Sequence, residues 1–340
     1  MKNSGIGGQA VMEGVMMKNK DHYAVSVRLP DKSITTDVQE CKSIIEKYKW
    51  LGLPFIRGSV NLIESLVIGM RTLTFSANFF DDEEEEQKAK EKKKKSEEKK
   101  AGEVEKKADE DFMSGWVLFG TVAFSLVMAM FLFMFVPQLV AEGICKLAGL
   151  TVGGKLCALF EGIMRLVIFI IYIKLIALMP DIKRVFMYHG AEHKSINCIE
   201  HGLPLTVENV RKSSKEHKRC GTSFIIIVLI IAIIVFMIVP PITAFNKIIN
   251  FLLRFLLRIV FLPIIAGIAY EFLRLAGRSD NPVVNILSKP GLWMQGMTTR
   301  EPDDDMIEVA IASVNAVFDW QSFLDENFKE NAENEIHTGL

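Results

Sequence analysis

The sequence lacks an excess of charge of either sign: 40 Lys and Arg stand against 41 Asp and Glu, a formal net charge of -1. A nucleic-acid binder should carry a basic surplus, so nucleic acid is not an expected partner. Cysteine is sparse and unpatterned: the five residues, at 41, 145, 157, 198 and 220, contain no CxxC pair. Such an odd, dispersed set argues against a disulfide framework and suits a reducing compartment. The first twenty residues lack the apolar core of a secretory signal, so the N-terminus is not expected to be exported or cleaved. Residues 7–17 are Gly-containing. They lack the Lys-Ser/Thr ending of a phosphate loop and the spacing of a dinucleotide fingerprint.

What the chain has is segregation. Of its 340 residues, 50% are apolar and 24% charged, which does not fit a uniform globular protein. Four stretches, 112–136, 156–179, 222–239 and 248–272, reach the roughly 20 apolar residues that span a bilayer. The expected fold is mainly α: a polytopic membrane protein with about four transmembrane helices, a small N-terminal β-meander and a cytoplasmic helical C-terminal segment.

The organisation follows from composition. Residues 1–42 alternate as a meander of three strands (11–17, 23–29 and 34–38), with turn chemistry at Asn19-Lys20-Asp21 and Pro30-Asp31-Lys32-Ser33. Residues 43–79 read as amphipathic or re-entrant helices, because Arg57, Asn61, Glu64 and Arg71 interrupt the apolar positions. Residues 80–111 begin with six acids at 81–86 and continue Lys- and Glu-rich. They suit a flexible charged linker, with a solvated single helix as the alternative. Residues 112–179 hold the first two spans, 180–221 a His- and Cys-rich loop, and 222–272 the last two spans. Residues 273–340 form the C-terminal segment, whose helix should start near Thr299 to Asp305, where Pro302 and three acids favour an N-terminus.

Basic residues set the orientation. Lys183, Arg184, Lys194, Arg211, Lys212, Lys215, Lys218 and Arg219 all lie in 180–221. The loop between the first two spans has Lys146 and Lys155, and that between the last two has Lys247. By the positive-inside rule both termini and the 180–221 loop face the cytoplasm.

The chemistry concentrates in Tyr188-His189-Gly190-Ala191-Glu192-His193-Lys194. On a helix His189 and His193, four apart, share a face and can reach one cation. His-x-x-Glu-His is the order of inverted zincins, in which the Glu is a general base toward water. His217 and Cys220 can supply third and fourth ligands, and Glu200 and Glu271 are alternative or supporting carboxylates. The donor set suits a divalent metal, zinc first. A basic loop whose histidines merely hydrogen-bond is the other reading. In 7–17, Gly8, Glu13 and Gly14 can form a loop that approaches a ligand, or they are turn and bulge positions beside core methionines. Inside the spans, Glu161 and Arg165 can pair, and Arg254 and Arg258 need a partner such as Glu161 or must snorkel to headgroups.

Four strings carry a resemblance: residues 7–17, residues 188–194, His217-x-x-Cys220-Gly221-Thr222-Ser223, and Thr298-Thr299-Arg300-Glu301-Pro302-Asp303-Asp304. In these the chain resembles the YqhQ-like family of bacterial membrane proteins, over nearly its whole length except 81–111 and the far C-terminus. The resemblance implies a bacterial inner-membrane location. The family is described as predicted metal-dependent enzymes, a label resting on the same His, Glu and Cys motifs. It brings no catalytic residues of its own. The expectation is a cytoplasmic metal site with His189, His193, His217 and Cys220 as ligands and Glu192 as base. Hydrolysis of a membrane-associated lipid or peptide is the leading function. A transporter, or a scaffold for a protein partner, with a structural metal is the alternative.

Overall fold

A computed structural model describes residues 2–93, 120–152, 154–239, 246–279 and 281–328. Near the N-terminus four antiparallel strands run in meander order: β1 (Gly7–Val11), β2 (Gly14–Asn19), β3 (His22–Arg28) and β4 (Ile34–Glu40). The sequence predicts three strands, with 11–17 as one. The chain instead reverses at Met12-Glu13, with Val11 paired to Gly14 and Glu13 at φ 48°. A tight hairpin needs left-handed backbone, and here a Glu adopts it, so no Asn-Gly or Asp-Gly signals the turn. Gly14 is required beside it, because a Cβ there would lie 2.4 Å from the Ser26 carbonyl oxygen.

The helices are α1 (Ile44–Lys47), α2 (Ile56–Lys93), α3 (Gly120–Leu147), α4 (Lys155–Ile176), α5 (Pro180–Glu200), α6 (Val207–Lys212), α7 (Gly221–Ile238), α8 (Lys247–Ala276), α9 (Pro282–Thr298) and α10 (Asp304–Val317), followed by a helical stretch at 320–328. By length and composition α3, α4, α7 and α8 can cross a membrane, so the mainly α, four-span architecture holds. α2 continues past Phe79 to Lys93. The rest of the charged stretch, 94–111, lies outside the described residues.

Three further features differ from the sequence reading. The first span does not end at Val136. A π-helical turn over Phe131–Phe135 precedes Pro137, and the helix runs on to Leu147. The wider turn relieves the clash that Pro makes in a regular helix. Residues 112–119 of that expected span lie outside the described residues. Ahead of the C-terminal helix lies α9, which accommodates Pro290 in its interior. Finally, Cys145 and Cys157 form a disulfide, with Cα atoms 5.9 Å apart. The hairpin of α3 and α4 brings them together, which their spacing in the sequence does not reveal.

The chain forms two compact units: Met1–Phe79, Ile171–Ile231 and Val260–Leu340 in one, Phe80–Ile170 and Ala232–Ile259 in the other. In the first unit Val15 and Met17 of the sheet meet Tyr188, Ala191 and Ile199 of α5 and Met306, Ile307 and Val314 of α10 in one buried cluster. That cluster clamps α5 into the unit and leaves it buried at Tyr188 and from Gly190 to Glu200, with His189 partly exposed. Burying the polar residues of α5 is costly unless they are paired, and all but the Ser195 hydroxyl find partners. Lys194 Nζ donates to the carbonyls of Arg211 (2.8 Å) and Ser213 (2.9 Å), and Asn197 Nδ2 to those of Ser214 (2.7 Å) and Glu216 (2.9 Å). The following loop is thereby wound around α5.

The second unit holds a buried ionic network. Glu161 accepts from Arg165 at 2.7 Å and from Arg258. Arg258 also donates to Gln138, and Arg254 pairs with Glu142. Arg165 Nε donates to the carbonyl of Phe133, inside the π turn, at 2.8 Å. The arginines thus find partners within the protein.

Candidate metal centre

The site is built where α5 meets the start of α7. His189 and His193 lie one turn apart on α5, and Cys220 immediately precedes α7. One ligand atom from each of His189, His193 and Cys220 lies within 4.8 Å of the other two. Cys220 Sγ is 3.3 Å from His189 Nε2. It also accepts from the backbone N–H of Thr222 (3.4 Å) and lies 3.0 Å from the Thr222 hydroxyl. The thiol therefore sits at the positive end of α7, where a thiolate is favoured.

Both imidazoles are aimed by their second nitrogen. His189 Nδ1 donates to the carbonyl of Thr298 at 2.9 Å, and His193 Nδ1 to that of Lys215 at 2.6 Å. These bonds fix the tautomers and leave each Nε2 lone pair facing the cluster, the arrangement that supports metal ligands. Burial works against charge on His189, but Cys220, through charge and hydrogen bond, together with Glu192 and the Thr298 carbonyl raises its pKa to about 9. Burial pushes the Cys220 thiol up, and His189 and His193 outweigh it, holding it well below its ordinary range. The cluster is an imidazolium–thiolate pair beside a second imidazole, and once His189 gives up its Nε2 proton the donor set is two imidazoles and a thiolate, able to hold a divalent ion.

Glu192 is buried beside the cluster, with Oε2 3.8 Å from His189 Nε2 and 3.9 Å from His193 Nε2. Gly8 of β1 lies against it, since a Cβ at Gly8 would stand 2.7 Å from Glu192 Cγ. The glycine-containing loop thus approaches the site through Gly8. Glu13 instead accepts from Arg184 and from the Tyr188 hydroxyl (3.2 Å), and Gly14 serves the hairpin.

His217 and Glu200 pair with each other beside the cluster, the His217 ring 5.8 Å from that of His193. His217 Nδ1 accepts from the backbone N–H of Arg219 at 3.4 Å, and Nε2 donates to Glu200 Oε2 at 3.3 Å. Neither nitrogen is turned to the three-residue cluster. Glu200 also accepts from the backbone and hydroxyl of Ser4, both at 2.7 Å, and from Arg219. Burial raises its carboxyl pKa, but His217, Arg219 and Ser4 prevail and hold it at about 2. The pair ties the N-terminus, α5 and the 217–219 turn together. Glu271 pairs with Arg57, 2.6 Å from its Nε.

Sequence reasoning missed the supports. Gln295, fully buried on α9, accepts from His217 N (2.8 Å) and donates to His217 O (2.7 Å) and to Ser223 Oγ (2.6 Å). It secures the segment carrying Cys220. Gly190 lets residues 298–302 lie on α5, because a Cβ there would be 2.0 Å from the Arg300 carbonyl oxygen. The string 298–304, noted in the sequence without a role, therefore supplies the carbonyl that aims His189.

A family described as "Protein of unknown function (DUF1385)" matches residues 53–320. The chain belongs to it. It is also similar to the "Uncharacterized protein YqhQ" of Bacillus subtilis (strain 168), 34% identical over 329 residues that cover 95% of each chain. No solved structure matches. With its four candidate spans, the chain is a multi-pass bacterial membrane protein bearing a His/His/Cys cluster able to hold a divalent metal.

Proposed function

We propose that the protein is a metal-dependent hydrolase of the inner membrane, with its site at the cytoplasmic face. The observation that supports this best is the size of the donor set. Among the described residues three side chains converge, and a carboxylate stands beside them without joining the group. A structural zinc site closes with four protein ligands, whereas a catalytic one keeps a position open. His189 and His193 would bind through Nε2 and Cys220 through its thiolate. The ion, when bound, would supply Lewis acidity toward a carbonyl or phosphoryl oxygen and toward water. Glu192 is the residue placed to take the proton from an attacking water, and Gly8 lets β1 pack closely against it. The expected substrate is a membrane-associated lipid or peptide. The basic 180–221 segment supports the cytoplasmic placement. So does the Cys145–Cys157 disulfide, which suits an oxidising compartment at the opposite loop.

Metal analysis of detergent-purified protein is the first test, with His193→Ala losing the ion. Glu192→Gln then separates the readings. It should keep the metal and lower the rate, or complementation of a deletion strain, by about 10²–10⁴-fold, the worth of a general base. Metal retained with full complementation would leave a transporter or scaffold with a structural metal. The ionic network among Gln138, Glu142, Glu161, Arg165, Arg254 and Arg258 favours that second reading.

A further inference from the structure

A cavity of about 690 Å³ opens at the C-terminal end of α4, in the first unit. That volume lies in the roughly 300–1,000 Å³ range of small-molecule sites. Its lining is markedly cationic: Lys174, Lys183, Lys215 and Arg300 face one carboxylate, Glu301. That carboxylate is already engaged, 2.9 Å from Lys194 Nζ and 3.5 Å from Lys215 Nζ. Lys174 and Lys183 make no ion pair among the described residues. Arg300 spends one Nη2 contact on the Ala177 carbonyl (3.2 Å), while its Nε is buried without an acceptor.

We propose that this cavity binds the phosphate-bearing headgroup of an anionic membrane lipid. Charge alone would suit any phosphoanion, and three further observations select a lipid. Lys174 lies in the last turn of α4, a candidate span, so the cavity sits where a span ends and headgroups begin. Lysines at that level keep the ammonium among phosphates and the stem in the apolar layer. Leu178, Met187 and Met297 form an apolar side to the same cavity, and Leu178 is 76% exposed. An amphiphile uses both walls, and a free phosphate uses one. Gly296 leaves room, since a Cβ built there meets nothing within 4 Å.

The cavity adjoins the metal cluster through shared supports. Lys215 lines it and gives its carbonyl to His193, while Thr299, also in the lining, follows the Thr298 that holds His189. The lipid site is carried by its own charges and shape and does not rest on the hydrolase reading.

The test measures binding of dihexanoyl phosphatidylglycerol to the full chain in detergent, by native mass spectrometry. Dihexanoyl phosphatidylcholine and inorganic phosphate form the comparison arms. Two variants probe different walls. Lys174→Gln with Lys183→Gln removes two exposed charges and no described contact. Gly296→Leu fills the open space and leaves every charge in place. The anionic lipid should bind at least about tenfold more tightly than the zwitterionic one, and each variant should weaken it by at least about tenfold, as expected for juxtamembrane cations. Equal binding of the two lipids, or undiminished binding in both variants, would overturn the proposal. Displacement by an equal concentration of inorganic phosphate would overturn it too, by assigning the cavity to a soluble phosphoanion. None of these readouts requires metal to be bound.

Discussion

Gly190 stands between the two histidines on α5, and its lack of a side chain sets the position of His189. The Arg300 carbonyl oxygen would lie 2.0 Å from a Cβ there, and Arg300 N donates to the Phe186 carbonyl at 2.9 Å. Gly190→Ala must lift residues 298–302 off the helix and withdraw the Thr298 carbonyl from His189. Overpacking of this kind costs typically about 1–3 kcal/mol. The variant should therefore unfold at a lower temperature and hold less metal than the wild type. Gly296→Ala, which meets open space, is the control and should retain its metal. An unchanged metal content and midpoint in Gly190→Ala would show that His189 needs no such support. At this scale the sequence exposes only part of the site. His189, Glu192 and His193 are legible because helical spacing is local, and Cys220 because it abuts a span. The carbonyls of Thr298 and Lys215 are not, since every residue type offers a carbonyl and these contacts join distant segments. His217 illustrates the other limit. It looks like a ligand in the sequence, but Glu200 and the Arg219 backbone occupy both its nitrogens.

Helices α3, α4 and α8 each contribute charged or amide side chains to the network of the second unit, with Glu161 of α4 shared between Arg165 and Arg258. Removing one partner from a buried ionic group leaves the rest uncompensated, at a cost of about 3–5 kcal/mol. Glu161→Ala leaves Arg165 and Arg258 without their shared carboxylate, with only the Phe133 carbonyl and Gln138 as partners, whereas Arg165→Ala leaves Glu161 paired with Arg258. Denaturant titration in mixed micelles should find Glu161→Ala the more destabilised of the two. If Glu161→Ala were as stable as the wild type, the arginines would have to reach headgroups or water instead, and the network would carry no energy. Hydropathy shows these helices plainly, because length and apolarity are summed over many residues. It does not show their interruptions. Pro137 reads as a helix end, yet the π turn before it lets α3 continue. Pro290 lies inside α9, between the turns that carry Asn281 and Gln295. The Met12-Glu13 hairpin is hidden in the same way, by residue types that do not advertise a turn.

For the whole molecule, orientation decides which compartment the metal cluster serves, and two independent features bear on it. The 180–221 segment carries eight Lys and Arg, against two in the loop region joining α3 to α4, and the positive-inside rule assigns the former to the cytoplasm. Cys145 and Cys157 are paired across that α3–α4 loop, and a disulfide persists where the environment is oxidising. With four spans, one assignment satisfies both: both termini and the 180–221 segment inside, the α3–α4 and α7–α8 connections outside. Reporter fusions at residues near 100, 200 and 320 should then read cytoplasmic, and those near 145 and 245 external. The two features can be checked against each other. Cys145, Cys157, Cys198 and Cys220 are all buried, so single cysteines are placed at exposed positions instead: in intact cells an impermeant thiol reagent should label Leu147→Cys, beside the disulfide, and should reach Lys212→Cys only when the membrane is opened. Labelling of Lys212→Cys in intact cells would invert the topology and move the site to the outer face.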